Sequence, residues 1–308
     1  FEIRNKDGLA INPLHEFSIY DKIAPIPQSI AFIPYDNNAK ISGYHRKKIY
    51  PLIKKDNFYT IKDTININGY FGIALDAIDK INKQPFEYGL YSIELFIDST
   101  KIYNVKYDVY DFNESKYIYC ERDFGLKKET GNTYYRLYAN NNNETLFFVG
   151  DNSIENINLI DSDYHNMEIK IKDFNGNETL IIGTILNKDM HHIESSYNHL
   201  DNTINFNPKL KDDIRFEFIL SGKHIDDKQF PVNNFTINNN KLLLQDNIEL
   251  PFNILEIIPK SNDGLAYNSQ FVNLSTSKQS IDEIQLHIEQ YRKHVILKID
   301  EINFSNST

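Results

Sequence analysis

Apolar and polar residues alternate with a period of two along much of this chain. Short Asn- and Asp-rich clusters interrupt the alternation, a pattern that restricts the fold to antiparallel sheets with one wet face. In Tyr91-Ser92-Ile93-Glu94-Leu95-Phe96-Ile97-Asp98 the apolar side chains at 91, 93, 95 and 97 fall on one side, while Ser92, Glu94 and Asp98 can face water. Met167-Glu168-Ile169-Lys170-Ile171-Lys172 and Ile214-Arg215-Phe216-Glu217-Phe218 repeat the pattern. Turn clusters at 36–38, 140–143, 173–177 and 238–240 separate such runs. The 20 Tyr and 20 Phe, with no Trp, suit pleated, half-buried surfaces. The expected fold class is all-β, built of antiparallel sandwiches.

At 308 residues the chain exceeds a usual single core, so it is expected to divide. Asp21-Lys22-Ile23-Ala24-Pro25 precedes an apolar run at 29–33, a natural first strand. Tyr88-Gly89-Leu90, the alternating strand and Asp98-Ser99 read as a central hairpin. Asp173-Phe174-Asn175-Gly176-Asn177 reads as a tight turn between strands at 167–172 and 178–185, with Gly176 or Asn175 at positive φ. Residues 21–186 are thus expected to form one sandwich, with insertions at 36–60 and 108–150. A second β-rich domain is expected over 187–308, with strands near 203–206, 214–220, 241–244, 252–258 and 294–300. Ser280-Ile281-Asp282-Glu283 could cap a short helix with Ile281, Ile284, Ile288 and Tyr291 on one face. Ile284, Leu286 and Ile288 also alternate as in a strand; the capping pattern favours the helix. Residues 303–308 show no closing strand, so the second domain reads as truncated.

The formal net charge of −10 argues against nucleic-acid binding, because such a surface repels phosphate. His45-Arg46-Lys47-Lys48 and Lys54-Lys55 are short basic runs that suit solvated loops or strand ends. No stretch approaches the roughly eighteen apolar residues of a membrane-spanning helix. The single Cys120 excludes an intrachain disulfide and a cysteine-built zinc site.

Other candidate chemistry is thin. A calcium loop at Asp173 would need Gly sixth and Glu twelfth, but Gly176 is fourth and Thr184 twelfth. His191, His192, Glu194 and His199 form the densest ligand-type cluster, yet adjacent His on a strand point to opposite faces. His287 and His294 would share a face only on a persistent helix. The acid pairs Asp76/Asp79, Asp161/Asp163, Asp212/Asp213 and Asp226/Asp227 suit solvated loops among 43 acidic residues. Ser195-Ser196 lacks the glycines of a nucleophile elbow. Tyr117-Ile118-Tyr119 and Tyr134-Tyr135-Arg136 could stack on sugars, but tyrosines packing a core fit them better.

The opening segment carries the one family signal. Phe1-Glu2-Ile3-Arg4 alternates like a strand, Asn5-Lys6-Asp7-Gly8 forms a turn, and Ile11-Asn12-Pro13-Leu14 follows. This run resembles the end of the catalytic domain of LytM/lysostaphin-type zinc metallopeptidases. There a His-x-His strand runs straight into Phe-Glu-Ile-Arg and the domain closes with Ile-Asn-Pro-Leu. His15-Glu16-Phe17 departs from the apolar-aromatic ending of that pattern. The Ala24-Pro25 opening and the strand–Asp-x-x-Gly-Asn–strand ending resemble bacterial immunoglobulin-like modules.

These resemblances imply a C-terminal remnant of a β-rich peptidase domain at 1–20, then tandem immunoglobulin-like sandwiches at 21–186 and 187–308. The family's His-x-x-x-Asp and His-x-His ligands would precede Phe1, so no catalytic or metal residue carries over onto this chain and zinc is expected only in the missing domain. The motif remnant is Phe1, Glu2, Ile3, Arg4, Ile11, Asn12, Pro13 and Leu14. The implied function is a non-catalytic accessory region of a cell-wall endopeptidase in the bacterial periplasm or cell envelope. Its expected partners are the parent catalytic domain and a cell-wall peptide or envelope protein. The alternative is a non-enzymatic surface adhesion protein built of sandwiches.

Overall fold

The computed structural model describes the chain except for residues 1, 37–38, 139–146, 150–155, 189, 199, 208–213, 223–227, 230–234, 239–240, 245–251, 261–265, 275–278, 291–294 and 307–308. For 114, 116, 119, 190, 221–222, 228–229, 237–238, 252–253, 266, 279–290 and 295–306 it describes the backbone alone. The fold is all-β. The chain divides into two compact units, Phe1–Asp189 and Met190–Thr308.

In the first unit, a four-stranded sheet runs in the order Tyr134–Arg136, Phe71–Ile78, Ile26–Pro34, Lys48–Pro51. A larger sheet runs Thr100–Lys106, Ser92–Ile97, Tyr164–Lys172, Glu178–Asn187, Tyr59–Thr60, Ile53–Lys54. Ile30, Phe32, Ile73 and Leu75 from the first sheet share one buried cluster with Ile93, Leu95, Ile169, Ile171 and Ile181 from the second. This is a sandwich-like core, and it explains the alternation, since every second residue of the facing strands is dry.

Two expected turns are present. Gly176 takes φ 87° in the hairpin joining Tyr164–Lys172 to Glu178–Asn187. Asp98 and Ser99 take φ 48° and 67° in the central hairpin, the positive pair that matches strand twist in a two-residue loop. The pairing is not wholly antiparallel: Glu178–Asn187 runs parallel to Tyr59–Thr60 and to Ile65–Asn68.

The run Phe71-Gly72-Ile73-Ala74-Leu75-Asp76-Ala77 does not alternate in burial, because both of its faces are covered. Leu126, on the helix Phe124–Thr130, packs against Ala31, Ala74 and Tyr134 on the sheet's other face. The Asp123 carboxylate caps that helix by accepting from Leu126 N at 2.8 Å, and Gly131 closes it at φ 81°. Small residues at 31 and 74 suit the close approach of the helix.

Gly72 is a true close approach, since an added Cβ would lie 2.5 Å from the rigid ring of Tyr138. At Gly183 the corresponding clash is with the flexible Met167 methyl, at 2.7 Å. Gly72→Ala is therefore expected to cost about 1–3 kcal/mol in urea unfolding, and more than Gly183→Ala. The reverse ranking would refute this account.

Among the described residues of the second unit, two sheets contribute to a core of Ile204, Phe206, Phe216, Phe218, Leu242, Leu255 and Ile257, and a third is a two-stranded hairpin. One core sheet includes Arg215–Gly222 paired with Phe252–Lys260, and the other includes Glu194–Asn198, Thr203–Asn207, Lys241–Leu244 and Phe235–Asn238. The expected helix after Ser280 is not formed. Gln279–Gln290 is a strand, antiparallel to Val295–Asn306. The alternation at 284, 286 and 288 was the stronger signal, because a paired long hairpin satisfies every second backbone group and a capping box alone satisfies two. The same hairpin places residues 303–306 in a strand, where no closing strand was expected.

Candidate functional site

The motif-bearing opening segment packs on the first unit. Ile3–Arg4 pairs with Ala10–Ile11, which pairs in turn with Val109–Tyr110. Arg4 forms an ion pair with Glu2, donates to the Gly8 carbonyl at 2.7 Å and lies 5.3 Å from the Phe112 ring centre. Asn12 caps the short turn Pro13–His15 by accepting from Leu14 N at 3.0 Å, and its own N–H donates to Asp108 O at 2.8 Å. His15 Nε2 lies 2.8 Å from Asp108 Oδ1, and Tyr91 donates to the same oxygen at 2.6 Å. Phe1 lies outside the described residues.

Three carboxylates from distant parts of the chain converge where this segment leads into the sandwich. Asp21 lies in the loop before Ile26–Pro34, Asp79 directly follows Phe71–Ile78, and Asp173 opens the Gly176 turn. One oxygen from each lies within 4.8 Å of the others. Their exposures are 8%, 6% and 3%, so all three are more than nine-tenths buried. Asp21 Oδ1 accepts from Ile23 N and Asn82 N, both at 3.1 Å. Asp173 Oδ1 accepts from Asn177 N at 2.8 Å, and its Oδ2 from the Asn177 side chain. Asp21 Oδ2 and Asp79 Oδ1 are buried with no hydrogen-bond partner. Burial pushes the Asp79 carboxyl up to about 7; a hydrogen bond from the Lys80 backbone opposes this, and the charges of Asp173 and Asp21 add to it. Among the described residues no ion pair involves any of the three.

The turn also grips the loop that carries Asp21. Asn175 donates to Ile19 O at 2.7 Å and Asn177 to Asp21 O at 3.2 Å. Phe174 packs edge-on against His15 and Tyr91, with ring centres 4.9 and 5.0 Å away. The cluster was hidden in the sequence because its members are 58 and 94 positions apart (21 to 79, and 79 to 173). Asp76 and Asp79, one of four acid pairs expected on solvated loops, are both buried instead, yet they do not act together. Residues three apart on an extended chain face opposite ways. Asp76 instead accepts from Asn132 at 2.9 Å and faces Ser29. A findable signal was that Asp79 and Asp173 each directly follow a strand end, where a side chain can turn inward.

Among the described residues the other sequence candidates form no ligand cluster. His191, His192 and Glu194 are exposed, and His199 lies outside the described residues. His287 is on a strand, and His294, Asp212, Asp213, Asp226 and Asp227 lie outside the described residues. Ser195 and Ser196 lie on the strand Glu194–Asn198. Tyr134 and Tyr135 are buried in the core, and Tyr117 is buried at the end of a short 3-10 helix.

Asp161 flanks a second ionisable group. His165, itself buried, contacts Asp98 Oδ2 at 2.6 Å through Nδ1 and Asp161 Oδ1 at 3.2 Å through Nε2. Burial opposes its charge, but the hydrogen bonds and the two carboxylates outweigh that and raise its pKa. A raised histidine pKa stabilises the fold fully below about pH 6.5, the unfolded value, and the benefit fades as pH rises through the folded value. His165→Asn is expected to cost about 1 kcal/mol at pH 5.5, discounted for the half-exposed Asp98, and less at pH 8.5. Equal losses in urea midpoint at both pH values would refute the pairing.

Among the described residues no helix is long and apolar enough to cross a membrane. Compared with protein-family models, curated proteins and solved structures, the chain matches none of them.

Proposed function

We propose that this chain is the non-catalytic accessory region of a LytM-type zinc metalloendopeptidase that acts on peptidoglycan peptides in the bacterial cell envelope. In this reading its immunoglobulin-like sandwiches position the catalytic domain or regulate access to it. Zinc and its ligands belong to that catalytic domain, and nucleic acid is not a partner. The observation that supports the reading best is the docking of the segment carrying Glu2-Ile3-Arg4 and Ile11-Asn12-Pro13-Leu14 on the sandwich through Val109–Tyr110 and Asp108. A domain ending in that segment would be held against the first unit rather than tethered loosely. Burial of Tyr134, Tyr135 and Tyr117 removes three of the tyrosines that a sugar-stacking adhesion surface would use.

The test has two arms. The codons immediately upstream of the one for Phe1 are expected to encode His-x-His, with His-x-x-x-Asp farther back; their absence defeats the reading. Purified 1–308 is expected to show no hydrolysis of cell-wall peptides. Chelator-sensitive cleavage by this piece alone would equally defeat it.

A further inference from the structure

We propose that Asp21, Asp79 and Asp173 form a calcium site that fastens the loop before the first sandwich strand to the Gly176 turn and to the end of Phe71–Ile78. The proposal holds whether or not the chain derives from a peptidase. Three carboxylates with oxygens within 4.8 Å of one another repel strongly when buried, and among the described residues none of the three forms an ion pair. Acid clusters on surfaces are common without an ion; this one differs in two oxygens. Asp21 Oδ2 and Asp79 Oδ1 are buried and accept no hydrogen bond, although Asp21 Oδ1 and both Asp173 oxygens are supplied with donors. A buried carboxylate oxygen without a donor is costly unless a cation takes the donor's place.

The donor set selects the ion. All the ligand atoms are carboxylate oxygens, without His or Cys, which suits a hard cation and disfavours zinc. Calcium accepts six to eight oxygens in irregular arrangements and tolerates mixed one- and two-oxygen carboxylates, whereas magnesium demands a near-ideal octahedron and keeps its waters. Three carboxylates brought from a loop, a strand end and a hairpin turn fit the more permissive ion. The first described contacts around them are already fixed, since Asn175 and Asn177 hold the Ile19 and Asp21 carbonyls and the Asp21 and Asp173 carboxylates are braced by backbone N–H groups. The site is thus pre-organised on the protein side, and the ion's role is to neutralise charge at the junction of three segments.

The full chain, stripped with EDTA and desalted, would be titrated with CaCl2 by calorimetry and melted with and without the salt. One ion per chain is expected to bind, with a Kd below about 1 mM. At a hundredfold excess over Kd the Tm should rise by roughly 5–10 °C. NaCl at matched ionic strength should give none of this shift. Asp79→Asn and Asp173→Asn, near-isosteric changes, are each expected to weaken calcium binding at least tenfold and to abolish most of the Tm rise. Circular dichroism in EDTA would show that each variant keeps its β spectrum; if one fails to fold, the other variant and the wild-type titration decide. No calcium-dependent rise in the wild type, an equal rise with NaCl, or an undiminished rise in the folded variants would each overturn the proposal.

Discussion

Replacing Arg122 by Met is expected to destabilise the protein by about 3–5 kcal/mol, read as a lower urea midpoint at unchanged slope. Arg122 lies 3.8 Å from the Tyr135 ring centre and 5.6 Å from that of Tyr107, and pairs with Glu121 at 3.2 Å. Glu121 is only 2% exposed. Burial raises its pKa, and the guanidinium charge and the Tyr107 and Arg122 hydrogen bonds only partly offset this. Tyr107 donates to Glu121 Oε2 at 2.7 Å, while Oε1 has no partner. Methionine fills much of the arginine's volume but leaves a buried carboxylate without its counter-charge. Glu121→Gln introduced into the same protein should restore much of the loss, because the orphaned charge is then gone. A loss under about 1 kcal/mol for Arg122→Met, or no recovery in the double variant, would show that the pair is not coupled as its geometry indicates.

Phe32→Ala is expected to cost a comparable 3–5 kcal/mol and to lower Tm by roughly 10 °C. Phe32 is fully buried on the inner face of Ile26–Pro34. Its ring packs edge-on to Tyr50 at 5.8 Å and tilted to Phe71 at 6.2 Å. The cavity would be lined by Tyr50 and Phe71 from the two neighbouring strands, each fixed by its own ladder, so collapse around it is limited. Phe32→Leu should recover more than half of the loss by refilling most of the volume. Equal losses for Ala and Leu would point to the aromatic contacts rather than to the cavity.

What could be read from the sequence was local. Alternation at 91–97 and 167–172 gave both the strands and their inward faces, since the period of two is a property of the backbone. The Asp98-Ser99 and Asn175-Gly176 turns were legible because positive φ restricts which residues fit. The strand Gln279–Gln290 was misjudged because Ser280 and Glu283 make a local capping pattern, while the pairing with Val295–Asn306 that decides its conformation is not local. Burial of both faces of Phe71–Ile78 depends on a helix fifty residues later. The convergence of Asp21, Asp79 and Asp173 is a tertiary event of the same sort. Each acid alone reads as a solvated turn residue, and only the register of the hairpin and the path of the loop bring their oxygens together.

The parallel pairing of Glu178–Asn187 with Ile65–Asn68 has a consequence for synthesis on the ribosome. Ile65 and Ile67 are fully buried in the finished sheet, yet their partner is encoded more than a hundred codons downstream. At typical elongation rates the early strand would wait roughly 6–25 s with an unmatched edge. The first unit therefore cannot close progressively from its N-terminus; it closes when its last strand arrives. A nascent chain halted before residue 178 should be protease-sensitive and chaperone-bound throughout its length, and release of only ten further residues should convert it to a resistant form.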